Sequence, residues 1–169
     1  MKKVVFLDID GVLNRAEVFD PEFEAPLVAR LNRVTDATGA VIVVHSSWRY
    51  LYSLEALRAR LNAEGVSGEV VDVTPKPRGH AKMSGYFQMD EGAWEEFAAG
   101  APSRHERAIS IWRWRQAHPE VADFVIFDDD AATAGDALDE PGRFIKTDAN
   151  KGLTDEHVER AIALLGGRP

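Results

Sequence analysis

The residues from Val4 to Asn14, Val-Val-Phe-Leu-Asp-Ile-Asp-Gly-Val-Leu-Asn, constrain this chain more than any other stretch. Four apolar residues of β-branched and aromatic type run without polar interruption, which reads as a fully buried strand. The strand runs directly into two carboxylates one residue apart and then a glycine. In an extended chain Asp8 and Asp10 share one face, and Gly11 permits a φ that turns the backbone away, leaving both acids at the strand's carboxyl edge. That edge is where open α/β sheets bind ligands. An Asp-Gly hairpin is the plain alternative, but it needs a second alternating strand directly after Gly11, and Arg15 to Pro26 supplies none.

The rest of the chain repeats the theme. Leu27, Val28, Leu31 and Val34 recur at helical spacing, and Gly39 stops that helix. Ala40 to His45 is a second buried strand, followed by Ser46-Ser47-Trp48-Arg49. Strand, helix, strand is the parallel crossover unit. Ser53 is placed to cap a helix carrying Leu54, Leu57 and Leu61, and Gly68 to Val73 gives a third strand. From Lys76 to Pro102 the periodicity lapses, which predicts an inserted lobe with one short helix over Asp90 to Ala99. Ser103 and Glu106 fit a capping box opening a helix through Ile109 and Trp112; only one of Trp112 and Trp114 can face the core, and a solvated Trp114 would be harmless. Asp123 to Phe127 is a fourth buried strand ending in Asp128-Asp129-Asp130. Arg143 to Lys146 is the last strand, and Thr154 caps a final helix through Val158, Ile162 and Leu165. The fold class predicted is α/β, a Rossmann-like three-layer α/β/α arrangement with a mostly parallel sheet, as one domain over 1–169.

Composition narrows the function. Of 169 residues 45% are hydrophobic and 28% charged, which is ordinary for a globular domain. The net charge of -8 argues against strong nonspecific nucleic-acid binding, which Lys and Arg drive. With no cysteine, thiolate metal sites and cysteine nucleophiles are excluded, and a reducing, cytoplasmic setting is suited. Met1-Lys2-Lys3 and the apolar run imitate a signal peptide, but Asp8 and Asp10 interrupt it, and no apolar segment approaches bilayer-spanning length.

Three buried strands therefore end in polar clusters, and in a doubly wound sheet those ends lie side by side. Asp8 and Asp10, Ser46 and Ser47, and Asp128 and Asp129 would converge on one crevice. Carboxylates that close repel one another unless a cation neutralises them. An all-oxygen set without Cys or clustered His suits Mg²⁺. Ser46 also has a plain reading as the N-cap of the following helix, and His45 reads as a packed strand-end residue.

The order of these elements resembles the haloacid dehalogenase (HAD) superfamily of phosphotransferases: an apolar strand with Asp-x-Asp-Gly, a Ser after the next strand, a basic residue near a helix start, and acids after a later strand. The resemblance implies a Mg²⁺-dependent phosphohydrolase in which Asp8 is the nucleophile and Asp10 the general acid and base. Ser46, with Ser47 as its alternate, would bind a phosphoryl oxygen. Arg104, at the first helical position, is favoured as the phosphate-neutralising base over Arg107, which would pair with Glu106 or solvent. Mg²⁺ would be held by Asp8, the backbone carbonyl of Asp10, Asp128 and Asp129. Ser46 to Arg49, Asp128 to Asp130, Thr147-Asp148 and Gly152 to Thr154 look like the small HAD group found beside RNA-repair proteins. Little or no cap follows Asn14, so an open site would admit a phosphorylated small molecule or a nucleic-acid end, with 76–102 as a partial lid. A catalytically silent HAD-like regulatory or binding module is the alternative.

Overall fold

The computed structural model describes residues 2–15, 22–76, 106–133 and 142–166. The strands are β1 (Lys2–Leu7), β2 (Val41–Val44), β3 (Val70–Val73), β4 (Val121–Asp128) and β5 (Phe144–Lys146). The helices are α1 (Ala25–Thr38), α2 (Leu54–Ala63), α3 (Glu106–Ala117) and α4 (Asp155–Leu164), with short 3₁₀ turns at Ser47–Tyr50 and Ala131–Thr133. The predicted inserted lobe, its helix over Asp90 to Ala99 and the Ser103 cap lie outside the described residues.

All four strand pairings are parallel, in the order β3-β2-β1-β4-β5. The chain is thus α/β and Rossmann-like, as its unbroken apolar strands predict. Along β1 the side chains alternate between two cores: Val5 and Leu7 pack with Leu27, Leu31, Leu57, Leu61, Val158 and Ile162, while Val4 and Phe6 pack with Ala108, Ile111, Trp114, Phe124 and Ile126. Helices α1, α2 and α4 therefore cover one face and α3 the other.

The helix boundaries follow from local chemistry. Gly39 takes φ +66° and its N–H bonds the carbonyl of Thr35, ending α1. Ser53 accepts from the Ala56 N–H at 3.2 Å to open α2. Thr154 and His157 cap each other reciprocally at the start of α4. In α3 the expected roles of the two tryptophans are reversed. Trp114 is the buried one, its ring edge-on to Phe6 at 5.4 Å and its Nε1 bonded to Asp72 at 2.6 Å, while Trp112 is only partly buried. A carboxylate on β3 gives the Trp114 N–H a partner, which makes burying that ring affordable.

Strand order reverses between β1 and β4, the topological switch point where an open α/β sheet leaves a crevice. Register then fixes what meets there. Leu7 pairs with Phe127 and with Val44. The Asp8 N–H donates to Phe127 O at 3.0 Å, and the His45 N–H donates to Leu7 O at 3.0 Å. Asp8, Asp128 and the β2 end are consequently level.

Candidate active site

The loop after β1 is pinned on several sides. Asp8 is almost fully buried, and its Oδ1 accepts the Ile9 N–H at 2.8 Å. Gly11 has φ +73°, and a Cβ there would lie 2.6 Å from Cγ of Asp129, so glycine serves both the turn and the approach of that carboxylate. Thr147, at the end of β5, donates its hydroxyl to Gly11 O at 2.8 Å, and the Leu153 N–H donates to Val12 O at 3.1 Å. These clasps hold the Asp-x-Asp-Gly turn against the far edge of the sheet.

Asp8, Asp128 and Asp129 each bring one carboxylate oxygen to a point where all lie within 4.8 Å of one another. Arg107 reaches this cluster from α3: its Nη1 is 2.6 Å from Asp8 Oδ2 and 3.0 Å from Asp128 Oδ2. The expectation that Arg107 pairs with Glu106 or solvent is therefore corrected, because its position on the inward side of α3 aims it at the two buried acids. Arg104, the favoured basic residue, lies outside the described residues.

The electrostatics follow from burial and crowding. The Asp128 carboxyl is pushed up to about 6, first by burial and then by the charge of Asp8, with Arg107 and the Asp130 N–H pulling the other way. Asp129 is raised by burial, Asp8 and Asp128. Burial works against the Arg107 charge, yet Asp8 and Asp128 outweigh it and raise that group further. His45 is fully buried, with Nε2 3.3 Å from Phe127 O and Nδ1 3.6 Å from Asp128 Oδ2. Burial lowers it to about 4 despite the pull of Asp8, so it sits as a neutral packed residue at ordinary pH.

Asp10 faces another way. Its Oδ1 accepts from Asn14 Nδ2 at 3.0 Å and its Oδ2 from Trp48 Nε1 at 2.8 Å. Its side chain is outside the carboxylate cluster, and only its backbone carbonyl was expected to reach a cation. Ser46 is buried and accepts the Trp48 N–H at 3.3 Å as N-cap of the 3₁₀ turn, while Ser47 opens that turn half-buried. The Ser46 cap leaves its hydroxyl hydrogen able to donate elsewhere. Asn14, Trp48 and Thr147 were not assigned roles from sequence. Asn14 and Trp48 lie within the motif stretches, but their contacts with Asp10 depend on how two separate turns approach.

The donor set suits a hard divalent cation: three converging carboxylates, all oxygen, with the Arg107 guanidinium bridging two of them. Asp129 also lines an open cleft of about 590 Å³ with Lys146, Thr147, Asp148, Lys151 and His157. Asp8 and Asp128 are not among its lining residues and stay buried. Among the described residues no helix is long and apolar enough to cross a membrane.

A parallel sheet with acids at its switch point defines a class of fold, and comparison with known families resolves it. Residues 4–158 match the family model described as the HAD domain in Swiss Army Knife RNA repair proteins, and the chain belongs to that family. No curated protein and no solved structure matches the chain.

Proposed function

We propose that the chain is a Mg²⁺-dependent phosphohydrolase that cleaves a phosphomonoester through an aspartyl phosphate on Asp8. The observation that carries this reading is the convergence of Asp8, Asp128 and Asp129 with Arg107 bridging two of them. In the first half-reaction an Asp8 oxygen attacks phosphorus, the bond to the leaving oxygen breaks, and Asp10 gives that oxygen its proton. In the second, Asp10 takes a proton from water, whose oxygen attacks phosphorus and releases the Asp8 carboxylate. Arg107 offsets charge on the phosphoryl oxygens, and the Ser46 hydroxyl donates to one of them. Asp8, Asp128 and the Asp10 carbonyl would hold Mg²⁺, with Asp129 directly or through water, and the ion would supply Lewis-acid neutralisation of the phosphoryl oxygens.

For the substrate, the family's description supports a nucleotide or nucleic-acid end, and the acidic balance of the chain favours recognition at the site over broad backbone binding. The test is turnover of phosphorylated metabolites and of 3′- and 5′-phosphorylated oligonucleotides with Mg²⁺, before and after EDTA, in wild type and Asp8→Asn. Turnover lost on chelation, restored by Mg²⁺ and absent in Asp8→Asn is expected. Turnover by Asp8→Asn near the wild-type rate, or equal turnover in chelated buffer, would end the reading.

A further inference from the structure

Leu51 and Tyr52 are the exposed large hydrophobic residues among those described, 69% and 38% accessible, and they are adjacent in sequence. Single exposed apolar residues are commonplace, but this pair directly follows the 3₁₀ turn Ser47–Tyr50 that Ser46 caps. Tyr52 continues a row of rings: Phe23 lies 5.7 Å from Trp48, and Trp48 lies 5.6 Å from Tyr52. The middle ring of the row touches the site, because the Trp48 indole N–H is bonded to Asp10. Cations border it. The Arg60 guanidinium sits 4.7 Å over Trp48 and 5.8 Å from the Tyr52 ring, and Lys76 sits 5.5 Å over the neighbouring Tyr50 ring.

We infer that Tyr52, with Leu51 and Arg60, forms a shelf that stacks a planar aromatic ring carried by the leaving group of the substrate. This rests on the reading that Asp10 serves the leaving oxygen. The leaving group must extend from that oxygen, and Asp10 is turned away from Asp8, Asp128 and Asp129 toward Trp48. A ring attached there is carried toward the Trp48–Tyr52 row. Stacking on an aromatic face tolerates many ring types, and the bordering guanidinium and ammonium favour a group bearing further negative charge. The shared chemistry is a flat π-system on a phosphoester, either a nucleobase or a simple aryl ring.

Steady-state kinetics on the full chain with Mg²⁺ separate the sources, using a nucleoside 3′-monophosphate, phenyl phosphate and glycerol phosphate in wild type, Tyr52→Ala and Tyr52→Phe. Tyr52→Ala should raise KM for the ring-bearing substrates about 5- to 100-fold more than for glycerol phosphate, with kcat little altered and Tyr52→Phe near wild type. The larger of the two ring effects identifies the ring. Equal changes for all three substrates would overturn the shelf. Titration of Asp8→Asn with the nucleoside monophosphate and with inorganic phosphate, with and without Tyr52→Ala, decides independently of turnover. Loss of nucleotide affinity alone supports the shelf even where nothing is hydrolysed, in which case the hydrolase reading fails by itself. Unchanged nucleotide affinity overturns the shelf.

Discussion

Arg107 Nη1 lies 2.6 Å from Asp8 Oδ2, so the group proposed to attack phosphorus is already charge-paired across the sheet from α3. The same nitrogen serves Asp128 at 3.0 Å. Arg107 thus bridges two buried acids, and in the proposed reaction it would face the negative charge that grows in the transition state.

Arg107→Ala should lower kcat/KM by at least about 100-fold, the usual scale for losing one such donor. It should also leave Asp8 and Asp128 facing each other without their cation, which destabilises the fold. Added Mg²⁺ should therefore raise the melting temperature of Arg107→Ala by more than it raises that of wild type. Equal Mg²⁺ increments in the two proteins would place Arg107 outside the charge balance of the site.

Asp128 and His45 pull the stability of metal-free protein in opposite directions over one pH window. In the folded chain burial moves the Asp128 carboxyl from 3.8 to about 6, so between those values the folded state keeps a proton the unfolded state has released. That contribution falls as pH rises from about 4 to about 6. For His45 burial moves the imidazole from 6.5 down to about 4, so its contribution is lost as pH falls through that range. In EDTA, Asp128→Asn should melt at temperatures that climb from pH 4 to 6.5, and His45→Gln at temperatures that decline. Thermal denaturation across that range checks both signs, and matching slopes in the two variants would refute the assignment.

Gly11→Ala meets two obstacles at once. The φ of +73° costs an L-residue about 1–2 kcal/mol, and the new Cβ would strike the Asp129 carboxylate. A lower melting temperature and weaker Mg²⁺ binding should appear together, since Asp129 must move aside. Isothermal titration with Mg²⁺ reads the second effect; wild-type affinity in a destabilised variant would mean that Asp129 takes no part in holding the ion.

Much of this arrangement was legible in the chain because it depends on order and local pattern. Unbroken apolar runs at Val4–Leu7, Val41–Val44 and Phe124–Phe127 announce strands buried on both faces, and acids at their ends mark the switch-point crevice. What was not legible depends on rotation and distance. Whether Trp112 or Trp114 faces the sheet turns on where α3 begins, because one position changes the facing direction by about 100°. The same uncertainty hid Arg107. The Thr147–Gly11 and Trp48–Asp10 bonds join residues 136 and 38 positions apart, and no periodicity encodes a contact between two loops.

Trp48→Phe tests the indole contact with Asp10. The substitution keeps a ring to pack between Phe23 and Tyr52 but deletes the N–H that donates to Asp10 Oδ2. Asn14 would then hold that carboxylate through Oδ1 alone, leaving Asp10 free to rotate. A hydrogen bond to a charged group contributes about 1.5–3 kcal/mol, so misplacing Asp10 should slow hydrolysis of an alkyl phosphate about 10- to 100-fold. An activated aryl phosphate needs little proton donation to its leaving oxygen and should lose much less in the step that forms the phosphoryl enzyme. Burst kinetics on the two substrates separate that step from its hydrolysis. The expected signature is an undiminished burst on the aryl phosphate with slower steady-state turnover, since Asp10 must still activate water. An equal loss of burst and turnover on both substrates would show that Trp48 shapes the turn as a whole and does not act through Asp10.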